Sequence, residues 1–196
     1  MGKIFCLMGK SASGKDTIFK RILEKKRVPL TTVVPGTTRP IRDGEKEGVE
    51  YYFYTHEEFE ELNKAGKVIE YRQYHTVHGL WTYFTADDGQ IKLDENNYIL
   101  IGTLEAYLAL REHFGAEIVV PLYIDLDDGE RLQRALTRER QANNQKYAEM
   151  CRRFLADQED FSPEKLAKAG EIKMFYNDNA EETVLQLEEY MLQVLR

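Results

Sequence analysis

Hydrophobic residues gather in four short runs, and amphipathic segments separate them. Ile4–Met8, Tyr98–Ile101 and Ile118–Ile124, with a weaker run at Ile172–Tyr176, have the length and unbroken apolar character of strands covered on both faces. Between them the spacing of apolar positions predicts helices near Lys15–Lys26, Leu104–Phe114, Gly129–Gln141 and Glu181–Leu195. Strands alternating with helices call for a parallel sheet in an α/β fold. The punctuation agrees: Thr103 stands where an N-cap belongs, Gly115 closes that helix, and Ser162-Pro163 read as N-cap and N1.

The stretch 35–85 has a different texture. Alternating, tyrosine-rich segments ("VEYYFY", "VIEYRQY", "LWTYFT") surround one short helix, which opens with the capping box Thr55 to Glu58 and stops at Gly66. A small β-rich lobe inserted into the α/β core is predicted, the core comprising 1–34 and 86–196 of one 196-residue domain.

Composition narrows the function. A net charge of −7 speaks against a nucleic-acid polymer as partner, since such proteins present a net basic face. The two cysteines, Cys6 and Cys151, are too few and too isolated for a disulfide framework and are expected to be free thiols. "KIFCLMG" is too short for a secretory h-region, "MGKIFC" lacks the hydroxyl residue of a myristoylation signal, and no run reaches a membrane span's length. A cytoplasmic protein without membrane contact is expected.

The chemistry begins at "CLMGKSASGKDT". Gly9, Lys10, Ser11, Ala12, Ser13, Gly14 and Lys15 fit the phosphate-loop pattern G-x-x-x-x-G-K, set between a predicted strand and a predicted helix. That order matters physically. Glycines let backbone N–H groups turn inward around a phosphate at the positive end of a helix, and Lys15 reaches the β- and γ-phosphates of ATP. The pattern's next residue, a hydroxyl for Mg²⁺, is replaced by Asp16, and Thr17 follows. An acid is favoured in a first helical turn, and both side chains are candidate Mg²⁺ ligands.

Together with this loop, "TTRPIRDGEKEGVEYYF", Thr37 to Phe53, resembles the guanylate kinase family, whose acceptor lobe carries T-T-R-x-x-R-x-G-E-x-x-G-x-x-Y-x-F. The resemblance implies a phosphate-loop NTPase core with a parallel sheet, an inserted β-rich acceptor-binding lobe and a helical lid at about 128–158. It implies ATP-dependent phosphorylation of GMP, and of dGMP, with Mg²⁺. Arg39, Arg42 and Tyr51 would surround the GMP phosphate, two guanidinium forks and a phenol being suited to a dianion. Glu45 would orient the arginines, and Glu70 would accept from N1–H and N2–H₂ of guanine. Departures lie here too: Pro35 replaces a base-binding Ser, and His78-Gly79 stand in a Tyr-Gly place. His78 is a candidate phosphate contact and Thr82 a candidate source of the missing hydroxyl.

From Arg131 to Arg153 seven basic side chains face two acidic ones, and Arg131, Arg134 and Arg138 share a helix face. The resemblance places Arg134, Arg138 and Arg153 over the transferred phosphoryl group. It also places Asn177, in "YNDN", near adenine. The family's L-D-I-D strand end reads "LIGT" here, and Asp16 is the candidate replacement for the missing metal-side carboxylate. Two alternatives stay open. A ribose 1,5-bisphosphate kinase would share the G-K-D loop and the "LIGT" end. A non-catalytic guanylate-kinase-like module is the other, although such modules lose the loop lysine. His75, Trp81, the lobe tyrosines and Cys151 read as structural.

Overall fold

The computed structural model describes residues 1–42, 44–76 and 79–196. In chain order its first half runs β1 (Ile4–Met8), α1 (Lys15–Lys25), β2 (Leu30–Thr32), β3 (Gly36–Thr37), β4 (Tyr52–Phe53), α2 (His56–Lys64), β5 (Val68–Thr76) and β6 (Gly79–Ala86). The second half runs β7 (Asn97–Ile101), α3 (Leu104–Phe114), β8 (Val119–Asp125), α4 (Asp128–Gln141), α5 (Tyr147–Asp160), α6 (Pro163–Lys168), β9 (Lys173–Tyr176) and α7 (Ala180–Val194).

Five strands form a parallel sheet in the order β2-β7-β1-β8-β9. Every residue of the central strand β1 is fully buried, because both faces are covered. Ile4, Cys6 and Met8 pack with Leu104, Tyr107 and Leu110 of α3, while Phe5 and Leu7 pack with Ile18 and Ile22 of α1 and Val184 and Leu187 of α7. An unbroken apolar run is therefore what this position requires. The strand β2, "LTT", is short and half-polar, which is why hydrophobic patterning does not reveal it.

The second sheet has the order β4-β3-β6-β5 and supplies the inserted β-rich lobe. Antiparallel β5 and β6 dominate it, and α2 covers one face through Phe59, which packs on Phe84 and Ala86. The capping box forms: the Thr55 hydroxyl accepts from Glu58 N–H at 3.1 Å and the Glu58 carboxylate accepts from Thr55 N–H at 2.7 Å.

Several boundaries shift for local reasons. The helix expected from Gly129 begins at Asp128, because the Asp127 carboxylate accepts from Gly129 and Glu130 N–H. Ser162 occupies the N-cap position of α6, but its side chain caps nothing and Pro163 alone sets the start. Cys151 is exposed on α5, not packed inside. Among the described residues, no helix is long and apolar enough to cross a membrane.

Candidate active site

The loop between β1 and α1 lies at the carboxyl end of the central strand, where open parallel sheets receive their ligands. Its shape needs unusual backbone. Gly14 has φ +92°, and a Cβ there would stand 2.3 Å from Asn177 Nδ2. Ala12 also holds a left-handed conformation, with φ 62°. Ser13 is 1% exposed, and its hydroxyl has no hydrogen-bond partner among the described residues. A buried orphan hydroxyl inside a ring of glycine-turned peptides is the chemistry an anion would satisfy.

Lys15 is largely sheltered, and its Nζ stands 3.5 Å from the Asp16 carboxylate, which is 74% exposed. Thr17 is exposed on the same first turn. One carboxylate and one hydroxyl, completed by phosphate oxygens and waters, form a donor set that suits Mg²⁺. Among the described residues no cluster of three or more acidic, His or Cys side chains offers a metal site of its own. Metal at this place would depend on the bound nucleotide.

The front of the loop is held from α4 and α5. Ser11 N–H donates to Asp157 Oδ2 at 2.8 Å, and Ser11 C=O accepts from Arg131 Nε at 3.1 Å. Arg131 Nη2 also donates to Asp157 at 3.1 Å, and Nη1 bonds Asp128. Lys10 joins the same cluster, bonding Gln158 and lying 3.5 Å from Asp128. Burial alone would raise the Asp128 carboxyl, but hydrogen bonds from Gln158 and Arg131 hold it below the ordinary aspartate range. Arg131 is 1% exposed and belongs to the loop's support.

Asn177 also sits beneath the loop. It is 2% exposed, its Nδ2 donates to Ser13 C=O at 2.6 Å, and its Oδ1 accepts from Thr183 at 3.4 Å. The side chain braces the loop backbone. Arg134 reaches the same region, donating to Asn177 C=O at 3.2 Å. Arg138 and Arg153 are exposed, and Arg153 is tied back to Glu149 at 2.9 Å. The structure therefore brings Arg134 to the loop and leaves Arg138 and Arg153 out in solvent.

In the lobe, Arg39 is 3% exposed and forms two parallel hydrogen bonds with Glu45. Arg42 N–H adds a third bond to Glu45 at 2.9 Å. These donors, above all Arg39, pull the Glu45 carboxyl down to about 2. The guanidinium of Arg39 lies 5.0 Å from the Tyr51 ring centre and 5.5 Å from Phe53, and that of Arg42 lies 5.9 Å from Trp81. Arg39 Nε, buried, has no hydrogen-bond partner among the described residues.

Strand alternation sorts the remaining residues. Glu70 and Arg72 of β5 face the same way as their partners Thr85 and Tyr83 on β6. The Thr85 hydroxyl donates to Glu70 Oε1 at 2.8 Å, and Tyr83 stacks edge-on against Tyr51 with centroids 5.6 Å apart. Arg39, Tyr51, Tyr83, Arg72 and Glu70 thus share one face. Thr82 is not brought to it. Paired with Gln73, whose amide donates to its hydroxyl at 3.3 Å, it is fully buried on the opposite face. His78 lies outside the described residues. At the "LIGT" end, a Cβ on Gly102 would stand 2.7 Å from Cys6 Sγ, and the Thr103 hydroxyl is used to cap Ala106 N–H at 3.2 Å.

Asp128, Asp157, Gln158 and Arg72 are the members that sequence reasoning missed. An acid or arginine inside an exposed-looking helix or edge strand carries no sequence signal of its partner. A wider cleft of about 680 Å³, lined by Met1, Lys3, Pro29, Asn96 and Leu195 among others, lies at the amino end of β1. It is on the wrong side of the sheet for the phosphate loop.

The family model described as guanylate kinase matches residues 1–194. A guanylate kinase of Rhodopirellula baltica is 32% identical over 100 residues, 51% of this chain and 47% of the relative. One of Oceanobacillus iheyensis is 44% identical over 73 residues, 37% of this chain and 35% of the relative. The aligned stretches therefore span less than half the length of these curated relatives. In fold, the chain is similar to the crystal structure of guanylate kinase from Anaplasma phagocytophilum, with a TM-score of 0.67 and 23% identity over 98% of this chain and 85% of that one.

Proposed function

Since the chain belongs to the guanylate kinase family, we propose that it transfers the γ-phosphoryl group of ATP to GMP, and to dGMP, giving ADP and the nucleoside diphosphate. The observation that carries this reading is the coexistence of two anion sites, the orphaned Ser13 hydroxyl in the phosphate loop and the Glu45-braced Arg39 in the lobe. One site takes the donor and the other the acceptor phosphate.

In this reading the loop Gly9–Lys15 seats the donor's β-phosphate on backbone N–H groups, and Lys15 neutralises charge on the transferred group. Arg39, Arg42 and Tyr51 hold the acceptor phosphate in line, while Glu70 accepts from N1–H and N2–H₂ of guanine. Glu45 acts through the arginines by fixing their forks. Arg134, Arg138 and Arg153 bring positive charge over the reacting group when α4 and α5 close, and water leaves. Mg²⁺, held by Asp16 and Thr17 with the nucleotide's phosphates, would supply further neutralisation at the phosphates. No covalent intermediate is required. The working unit is one domain over 1–196, with core 1–34 and 86–196, acceptor lobe 35–85 and lid at about 128–158; its partners are small nucleotides in the cytoplasm.

A sugar bisphosphate acceptor fits less well, because Glu70 and Arg72 offset each other and leave no net positive charge for a second phosphate. An ADP-release assay with GMP, dGMP, AMP, dTMP and ribose 1,5-bisphosphate tests the proposal. Turnover with GMP and dGMP is expected, and preference for any other acceptor overturns it.

A further inference from the structure

The acceptor face holds a cation that the phosphate clamp does not use. Arg72 lies two residues beyond Glu70 on the same face of β5, and its Nε stands 3.5 Å from Glu70 Oε2. That approach lacks hydrogen-bond geometry: Arg72 Nε is buried without a hydrogen-bond partner among the described residues. The side chain as a whole is 33% exposed. It borders a cavity of about 300 Å³ between β5, the start of α3 and the end of α5, whose lining also includes Tyr74, Thr103, Glu105 and Asp160 but not Glu70. That volume matches the lower end of small-molecule sites, about 300 Å³.

The two side chains present complementary hydrogen-bonding chemistry. Glu70 offers only acceptors, and its Oε1 is already oriented by Thr85. Arg72 offers only donors. Their charges cancel, so the pair suits a neutral ligand edge that carries donors beside an acceptor. The guanine edge has that order: N2–H₂ and N1–H donate, and the 6-oxo group accepts. Two hydroxyl positions weighed for the base do not serve here: Pro35 has no hydroxyl, and Thr82 faces away.

We infer that Arg72 recognises the 6-oxo group of the acceptor base, completing with Glu70 a two-residue reader of the 6-oxopurine edge. This rests on the GMP reading above. Adenine is rejected twice by such a pair: its 6-amino group meets a cation, and its unprotonated N1 meets a carboxylate.

The test compares GMP with 6-thio-GMP, which keeps both donors but replaces the oxygen by a poorer acceptor. For the unaltered protein kcat/KM should be clearly lower with the thio analogue. Arg72→Ala should lower kcat/KM for GMP by about 10–100-fold, the worth of a hydrogen bond to a charged group. It should lower that for 6-thio-GMP much less, so that discrimination collapses, with the KM for ATP unchanged. Arg72→Lys, which keeps a donor and covers the case of a poorly folded alanine variant, should restore part of the discrimination. Equal losses for both nucleotides in both variants would mean that Arg72 merely steadies Glu70, and would overturn the inference while leaving the GMP reading intact. Absence of GMP turnover by the unaltered protein would overturn the GMP reading, and the inference with it.

Discussion

Arg39 and Glu45 are joined by a double hydrogen bond, Nη1 to Oε2 at 2.8 Å and Nη2 to Oε1 at 2.6 Å, on a guanidinium that is almost wholly buried. The pair sets the orientation of the lobe's buried cation. It also makes the lobe sensitive to acid. The Glu45 carboxyl is held at about 2 in the folded protein, against about 4.3 for an unperturbed glutamate. Its contribution to stability is therefore complete above the unfolded value and is lost as pH falls from about 4.3 towards 2. Comparing the melting temperatures of the unaltered protein and Glu45→Gln should show a gap at pH 7 that narrows through that window. A gap independent of pH would show that the carboxylate's charge is not what holds Arg39.

Lys15→Ala should remove roughly 10²–10³ of the rate, the usual loss for one charged contact to a reacting group. Stability should hardly change, because among the described residues the ion pair of Lys15 is with the exposed Asp16. Steady-state kinetics with a thermal melt checks both, and near-normal turnover in a folded variant contradicts the loop's assigned role.

Asp16→Ala separates a metal ligand from a helix-start residue. As a ligand, its loss raises the Mg²⁺ needed for half-maximal activity. As a first-turn acid alone, it contributes about 0.3–1 kcal/mol through the helix dipole, and the Mg²⁺ curve stays where it was. Asp16 is exposed and belongs to α1 rather than to the lobe, so GMP binding without metal is expected to be unchanged.

Glu70→Gln should weaken GMP by about 1–3 kcal/mol, because the amide puts a donor against guanine's donors. Calorimetric titration of ATP should be indifferent to the change. Parallel losses for both nucleotides would assign Glu70 to the scaffold.

Arg131→Met tests the support of the loop. Removing one partner leaves Asp157, 15% exposed, without its cation, and breaking a buried pair costs about 3–5 kcal/mol. Urea denaturation gives the figure. A loss below about 1 kcal/mol would place Arg131 with ordinary surface ion pairs.

How far the sequence revealed this molecule depended on the range of the interactions involved. β1, β7 and β8 were plain because burial on both faces leaves a run with no polar break, and the loop was plain because its glycines answer a local backbone demand. The lobe's tyrosine alternation announced a sheet, although "VEYYFY" yields only the two-residue β4. What stayed hidden involves partners far apart in the chain. Nothing near Arg131 reveals that Ser11 and Asp157 will enclose it, and Asn177 shows its role only once β9 lies beside the loop. Thr82 was offered as a hydroxyl for the base by its neighbourhood, yet strand parity turns it to the α2 side of the sheet.

The enclosure of Ser11 fixes a fulcrum. Its N–H and C=O are held from the end of α5 and the start of α4, which ties the roots of both helices to the loop. Arg138 stands seven residues out from Arg131, about 10 Å along a helix at its normal rise. Arg153 stands four residues out from Asp157, about 6 Å by the same rise. The two arginines therefore stand at unequal distances from the residue that joins their helices to the loop. Any rotation about Ser11 would carry Arg138 through a longer path than Arg153.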